Sequence, residues 1–99
     1  LDGETLPFVA EAIEWAEMGI LPAGMYSNRG HVGKKMVVEA DLSEAQQDLI
    51  FDPQTSGGLL LAVAEDEAGE LEAAFMEAGR FCVRIGRAVE KREVSLLIR

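Results

Sequence analysis

The residues best suited to chemistry form one short stretch, Phe51-Asp52-Pro53-Gln54-Thr55-Ser56-Gly57-Gly58, which runs directly into Leu59-Leu60-Leu61-Ala62-Val63. Thr55 and Ser56 bring hydroxyl donors, Gln54 a donor and an acceptor, and Gly57-Gly58 two amides that can approach an anion with no Cβ in the way. Together these groups suit a phosphate or another polar ligand. Asp52 opposes an anion unless its carboxylate bonds backbone amides, holds magnesium or faces away. Pro53 fixes one torsion and the glycines allow paths that a Cβ forbids, so a purely structural turn stands open beside direct ligand contact. The apolar run at residues 59–63 reads as a buried strand, which would place the loop at the mouth of the core.

Other reactive side chains lack partners in sequence. Ser56 precedes two glycines and a strand, the wrong local order for a nucleophile elbow, and has no basic partner. Gly33-Lys34-Lys35 fails as a nucleotide-binding loop, because Gly30 is too close and no hydroxyl follows the lysine. His31 is the single histidine and reads as a surface or structural residue. Cys82 is the single cysteine and reads as packing, which rules out an internal disulfide and a thiolate metal cluster. Asp41, Asp48 and Asp52 are too loosely spaced to define a metal trio.

Composition bounds the setting of these groups. Ninety-nine residues suffice for one modest core. A formal net charge of -9, from 18 acidic and 9 basic residues, argues against nonspecific wrapping of nucleic acid and against attraction to an anionic membrane. No apolar run approaches the roughly 20 residues of a membrane-spanning helix, and the expected setting is cytoplasmic. The first residue is Leu1 rather than methionine, as expected of a processed chain or a piece of a larger one.

The elements that must position the loop follow from periodicity. Val9, Ala12, Ile13 and Ala16 predict a helix over residues 7–18, opened by Pro7 and closed by Gly19, with Glu11, Glu14 and Glu17 on the wet side and Trp15 facing the core or a partner. Residues 26–35, from Tyr26 to Lys35, read as a long polar connection in which Asn28, Arg29, Lys34 and Lys35 are either binding residues or solvated. A short strand is expected over residues 35–39. Ser43 and Gln46 match a capping box for a helix over residues 44–50, with Ala45 and Leu49 on one side.

After the strand at residues 59–64, Leu71, Ala74, Phe75 and Ala78 predict a helix over residues 65–78 with a buried stripe, ended by Gly79. Phe81, Val83 and Ile85 alternate as a strand, Lys91-Arg92-Glu93 reads as a polar turn, and Val94, Leu96 and Ile98 return as a second strand beside the first. The order implies an α/β or α+β fold with a mixed sheet and packed helices.

These residues also carry a resemblance. Asp52-Pro53-Gln54-Thr55-Ser56-Gly57-Gly58-Leu59-Leu60, with the Leu6-Pro7 helix, Gly19-Ile20-Leu21-Pro22-Ala23-Gly24, Asn28, Ala78-Gly79 and Val83-Arg84-Ile85-Gly86-Arg87, resembles the closing part of the selenophosphate synthetases, or selenide, water dikinases. The nine-residue loop is the specific part of the likeness, which runs across most of the chain.

The resemblance implies the later part of a carboxy-terminal domain related in fold to aminoimidazole ribonucleotide synthetase. It implies a parent enzyme that uses ATP, magnesium, water and selenide to make selenophosphate, AMP and orthophosphate. The family's ATP and metal carboxylates, and its catalytic cysteine or selenocysteine with a lysine, lie in an amino-terminal region that these 99 residues lack. Cys82 does not match that context. The chain alone is therefore expected to be noncatalytic, to bind neither ATP nor magnesium tightly, to partner the missing amino-terminal domain and to self-associate as a homo-oligomer. Asn28, Asp52, Gln54, Thr55, Ser56, Gly57 and Gly58 are expected to contribute to cofactor binding in the full enzyme, whereas the resemblance assigns no such role to Lys34 or Lys35. A small binding or assembly module that kept the fold without the enzymatic context is the alternative.

Overall fold

The computed structural model describes residues 1–91 and 93–99. The helices are α1 (Ala10–Glu17), α2 (Ala23–Val32), α3 (Glu44–Leu49) and α4 (Glu65–Glu77), the strands are β1 (Met36–Val38) and β2 (Leu96–Ile98), and 3-10 turns occupy Gly3–Thr5 and Gly33–Lys35. α1 and α2 pack on α3, and the two strands pair in parallel with Met36 opposite Leu96 and Val38 opposite Ile98. The α+β class with a small sheet and packed helices follows. The expected hairpin does not: β2 pairs with β1, sixty residues earlier, and the described sheet is parallel rather than mixed. Parallel pairing requires a long crossover, here the segment holding α3 and α4.

The amino-terminal residues extend this ladder. The Leu1 amino group donates to the Leu97 carbonyl. Arg99 N–H donates to the Leu1 carbonyl at 3.1 Å and Gly3 N–H to the Arg99 carbonyl at 2.8 Å, while Asp2 N–H reaches the Ile85 carbonyl at 2.9 Å. Residues 1–3 thus occupy the edge of β2 where the strand over residues 81–86 was expected. That run touches the ladder through Ile85 and forms no strand. Arg92, in the expected polar turn at residues 91–93, lies outside the described residues.

The helix ends behave as local chemistry dictates. Ser43 Oγ accepts from Gln46 N–H at 3.2 Å and Gln46 Oε1 accepts from Ser43 N–H at 2.9 Å, completing the capping box of α3. Gly19 and Gly79, with φ of 77° and 62°, follow the ends of α1 and α4 in the left-handed conformation that glycine adopts without a steric penalty. α1 starts at Ala10 rather than Pro7, since Val9 before it is extended.

Five further expectations are corrected. Residues 26–35 are not a connector: α2 covers most of them, and its inner face, Met25, Asn28, Arg29 and Val32, has helical spacing with polar residues in the middle, which hid the period. The side chain of Met25 is fully buried and anchors the helix. The run over residues 59–64 is neither a strand nor buried, with Leu59 89% and Leu60 81% exposed. The stripe on α4 is only partly covered, because Leu71 and Phe75 are half-buried while Ala74 and Ala78 are exposed. Cys82 is exposed rather than packed, and Trp15, 57% exposed, does not enter the core.

The core is accordingly small. Among the described residues its buried apolar members are Ala16, Met25, Ala45, Phe51 and Ile98. The radius of gyration of 14.9 Å exceeds the roughly 13 Å of a closed domain of this length.

Candidate functional site

The loop at residues 51–58 grows out of α3. Phe51 N–H donates to the Asp48 carbonyl at 3.0 Å and Asp52 N–H to the Leu49 carbonyl at 3.1 Å, so the helix tightens through one last turn before Pro53 stops it. Phe51 is buried and holds the loop's near end, Asp52 is half-buried, and residues 53–58 are exposed.

α2 fixes this near end with successive turns of one face. Asn28 Nδ2 donates to the Phe51 carbonyl at 2.9 Å. One turn earlier, Gly24 lies so close to Pro53 that a Cβ there would stand 2.9 Å from Pro53 Cγ. Beside Asn28, Arg29 forms an ion pair with Asp48, whose side chain is 13% exposed. Asn28 and the loop, twenty-three residues apart, therefore meet through a direct bond. Of the sequence-predicted residues, the structure brings Asn28 to the root of the loop rather than to its tip.

Beyond Pro53 the loop turns its polar groups outward. Gln54 N–H donates to the Asp52 carbonyl at 2.9 Å, and the Gln54 side chain lies over Gly57, where a Cβ would come 3.0 Å from Gln54 Oε1. Thr55, Ser56, Gly57 and Gly58 are exposed, and among the described residues no backbone hydrogen bond engages the amides of residues 55–63. Neither Gly57 nor Gly58 has a positive φ, and a Cβ at Gly58 would meet nothing within 4 Å. The loop's path does not demand these glycines. What their missing Cβ atoms leave is an approach to the amides from outside.

The donor set of two hydroxyls and two unengaged amides fits the oxygens of a phosphate-bearing ligand. It does not fit a metal: among the described residues no three His, Cys, Asp or Glu side chains are placed to hold an ion. Asp48 is engaged with Arg29, away from Asp52's role at the turn. His31, Lys34 and Lys35 are exposed near the far end of α2. A cavity of about 290 Å³ behind the loop's root is bounded by Arg29, Met36, Val38, Gln47 and Phe51. The Gln47 amide that borders it already donates to the Leu42 carbonyl at 2.9 Å.

Sequence reasoning missed Gly24 and Arg29 as loop-positioning residues. The signal was present: Gly24 and Asn28 are one helical turn apart, and Met25, Asn28, Arg29 and Val32 repeat at i, i+3, i+4 and i+7.

No protein-family profile matches the chain. Individual proteins do. The chain is 47% identical over 87 residues to the selenide, water dikinase of Pelobacter propionicus, an alignment covering 87% of this chain and 25% of that protein. It is 38% identical over 96 residues to the selenide, water dikinase of Clostridium botulinum strain Alaska E43, covering 97% of this chain and 28% of that protein. It is 37% identical over 99 residues to selenide, water dikinase 2 of Peptoclostridium acidaminophilum, covering 99% of this chain and 28% of that protein. The alignments take in both α2 and the loop it holds, and the chain is homologous to the selenide, water dikinases, spanning about a quarter of the length of each of these relatives.

Proposed function

We propose that the chain is the carboxy-terminal part of a selenide, water dikinase, from a domain of the aminoimidazole ribonucleotide synthetase kind. The observation that carries the reading is the docking of the loop root on α2 through Asn28 and Phe51, with the donors of residues 54–58 left facing outward. On this reading the missing amino-terminal part holds ATP, magnesium and the reactive group. The whole enzyme then consumes ATP, selenide and water and releases selenophosphate, AMP and orthophosphate.

The role of these 99 residues is positional. Asn28, Gly24 and the Arg29–Asp48 pair set the root of the loop. Thr55, Ser56 and the amides of Gly57 and Gly58 then meet phosphate oxygens at the junction with the amino-terminal part, and Gln54 covers one flank. Asp52 turns the chain at the root through its backbone, its N–H donating to the Leu49 carbonyl and its carbonyl accepting from Gln54 N–H. Magnesium is held by residues outside this chain.

Three measurements test the reading. The 99-residue chain with ATP and magnesium is expected to form no selenide-dependent AMP above a protein-free control, and clear turnover would overturn the noncatalytic assignment. In the complete enzyme, Gln54→Ala is expected to raise the KM for ATP at unchanged thermal stability. Loss of stability with no change in KM would instead make Gln54 scaffold. An intact native product of 10.7 kDa rather than several times that mass would replace the enzyme reading with a small binding or assembly module.

A further inference from the structure

The two glycines of the loop are not equivalent. Neither has a positive φ, so the backbone conformation requires a glycine at neither position. Their surroundings differ. A Cβ at Gly58 would meet nothing within 4 Å, whereas a Cβ at Gly57 would stand 3.0 Å from Gln54 Oε1 and 3.6 Å from Gln54 Cβ. The space that a side chain would take at position 57 is therefore occupied by the Gln54 side chain.

This contact has an orientation. The carboxamide oxygen is the end that meets Gly57, and Nε2 is not among the atoms within 4 Å of that Cβ position, so the amino end is turned away from it. A carbonyl oxygen over a bare Cα is the arrangement of a weak C–H to oxygen contact. Of the chain's three glutamines, Gln46 accepts from Ser43 N–H through Oε1 and Gln47 donates to the Leu42 carbonyl through Nε2. Among the described residues the Gln54 carboxamide makes no hydrogen bond, and the residue is exposed. Its backbone is nonetheless tied down, since Gln54 N–H donates to the Asp52 carbonyl at 2.9 Å. Gln54 is thus anchored at its main chain and seated at its oxygen, with two N–H donors left over.

We propose that Gly57 is a positioning residue for Gln54: its bare Cα seats the carboxamide oxygen and thereby presents the amino end as a further donor to a phosphate-bearing ligand. The inference rests on the reading of the loop as a ligand site in the complete enzyme. The orientation matters because a carboxamide offers a donor at one end and an acceptor at the other, and the acceptor end repels an anion. Seating the oxygen removes that second choice before the ligand arrives. It also removes rotamer freedom that binding would otherwise have to freeze. Alanine at position 57 displaces only the far end of a flexible side chain, so its effect falls on binding rather than on the fold.

Nitrogen-edited NMR and steady-state kinetics on the complete protein test this. Without ligand, Gly57→Ala is expected to shift the Gln54 side-chain amide resonances and Gly58→Ala to leave them in place. The KM for ATP is expected to rise roughly 3–10-fold in Gly57→Ala and in Gln54→Ala, with kcat and thermal midpoint unchanged, and to rise no further in the double variant. Gln54→Glu keeps an oxygen for the seat but has no donor, and is expected to raise KM more than Gln54→Ala does. Effects that multiply in the double variant overturn the proposal, because Gly57 then acts on the ligand directly. A wild-type KM in Gln54→Glu overturns it too. Unmoved Gln54 resonances in Gly57→Ala with a raised KM remove the positioning role and leave the ligand site standing. Shifted resonances with KM unmoved in every variant remove the donor role together with the reading of the loop as a ligand site.

Discussion

Asn28 and the glycines show how differently residues of one motif act. Replacing Asn28 with alanine removes the donor to the part-buried Phe51 carbonyl. It is expected to lower stability by about 1 kcal/mol in urea unfolding of the complete protein. Asn28→Asp puts an acceptor against an acceptor and should cost at least as much. Gly24 and Gly30 both lie within α2 but differ in surroundings: a Cβ at Gly24 would meet Pro53, whereas at Gly30 it would meet nothing within 4 Å. Gly30→Ala is therefore expected to stabilise by about 0.5–1 kcal/mol through helix propensity, and Gly24→Ala to destabilise or show no gain. Equal gains at both positions would remove the close approach to Pro53 from the account. Gly58→Ala should leave thermal stability unchanged, so a loss of ATP-dependent activity at that position would mark a ligand approach rather than a backbone requirement.

At the scale of elements, α3 is short and relies on its start. Its six residues carry both bonds of a capping box and deliver Phe51 into the core. Ser43→Ala is expected to cost about 1 kcal/mol, within the usual range for lost caps, and to loosen the loop's root as a secondary effect visible in the amide spectra of residues 51–54. α4 is held differently, through the bidentate pair of Arg84 with Glu72 on the surface. The hydrogen bond from Arg84 to Glu72, reinforced by their opposite charges, raises the guanidinium pKa further above its ordinary value. A raised pKa contributes its stability in full below the unfolded value and loses it only as pH rises through the folded one. This link is therefore insensitive to alkaline titration within any range where the protein is handled. Arg84→Gln is expected to speed amide exchange in residues 81–84 and leave β1 and β2 unaffected.

For the whole molecule, the balance between buried and exposed apolar groups decides what the chain can be. Burying one leucine side chain is worth about 1.5–3 kcal/mol, and Leu59 and Leu60 realise almost none of that here. The 99-residue chain is expected to bind a hydrophobic dye and to associate as its concentration rises, and the complete protein to do neither to the same extent. Dye binding equal in the two would show that the apolar run stays open in the enzyme. The acidic balance of -9 opposes association through like-charge repulsion but does not cover this surface.

Local signals determined the parts of the fold that depend on near neighbours. The capping box of α3, the glycines after α1 and α4, the body of α4 and the stop that Pro53 puts on α3 were legible because each rests on residues within one or two helical turns, whereas Gly57 and Gly58 turned out not to shape the loop's path. So was the kinship, since the loop is a specific string. Tertiary structure decided the rest. α2 is a helix because burial of Met25 and the bonds of Asn28 and Arg29 to the end of α3 outweigh the weak propensity of a polar segment with internal glycine. β2 lies beside β1, and residues 1–3 hold its other edge, because pairing depends on which backbone is at hand rather than on alternation. Residues 59–63 have every sequence mark of a strand and remain unpaired, because a strand exists only with a neighbour to bond it.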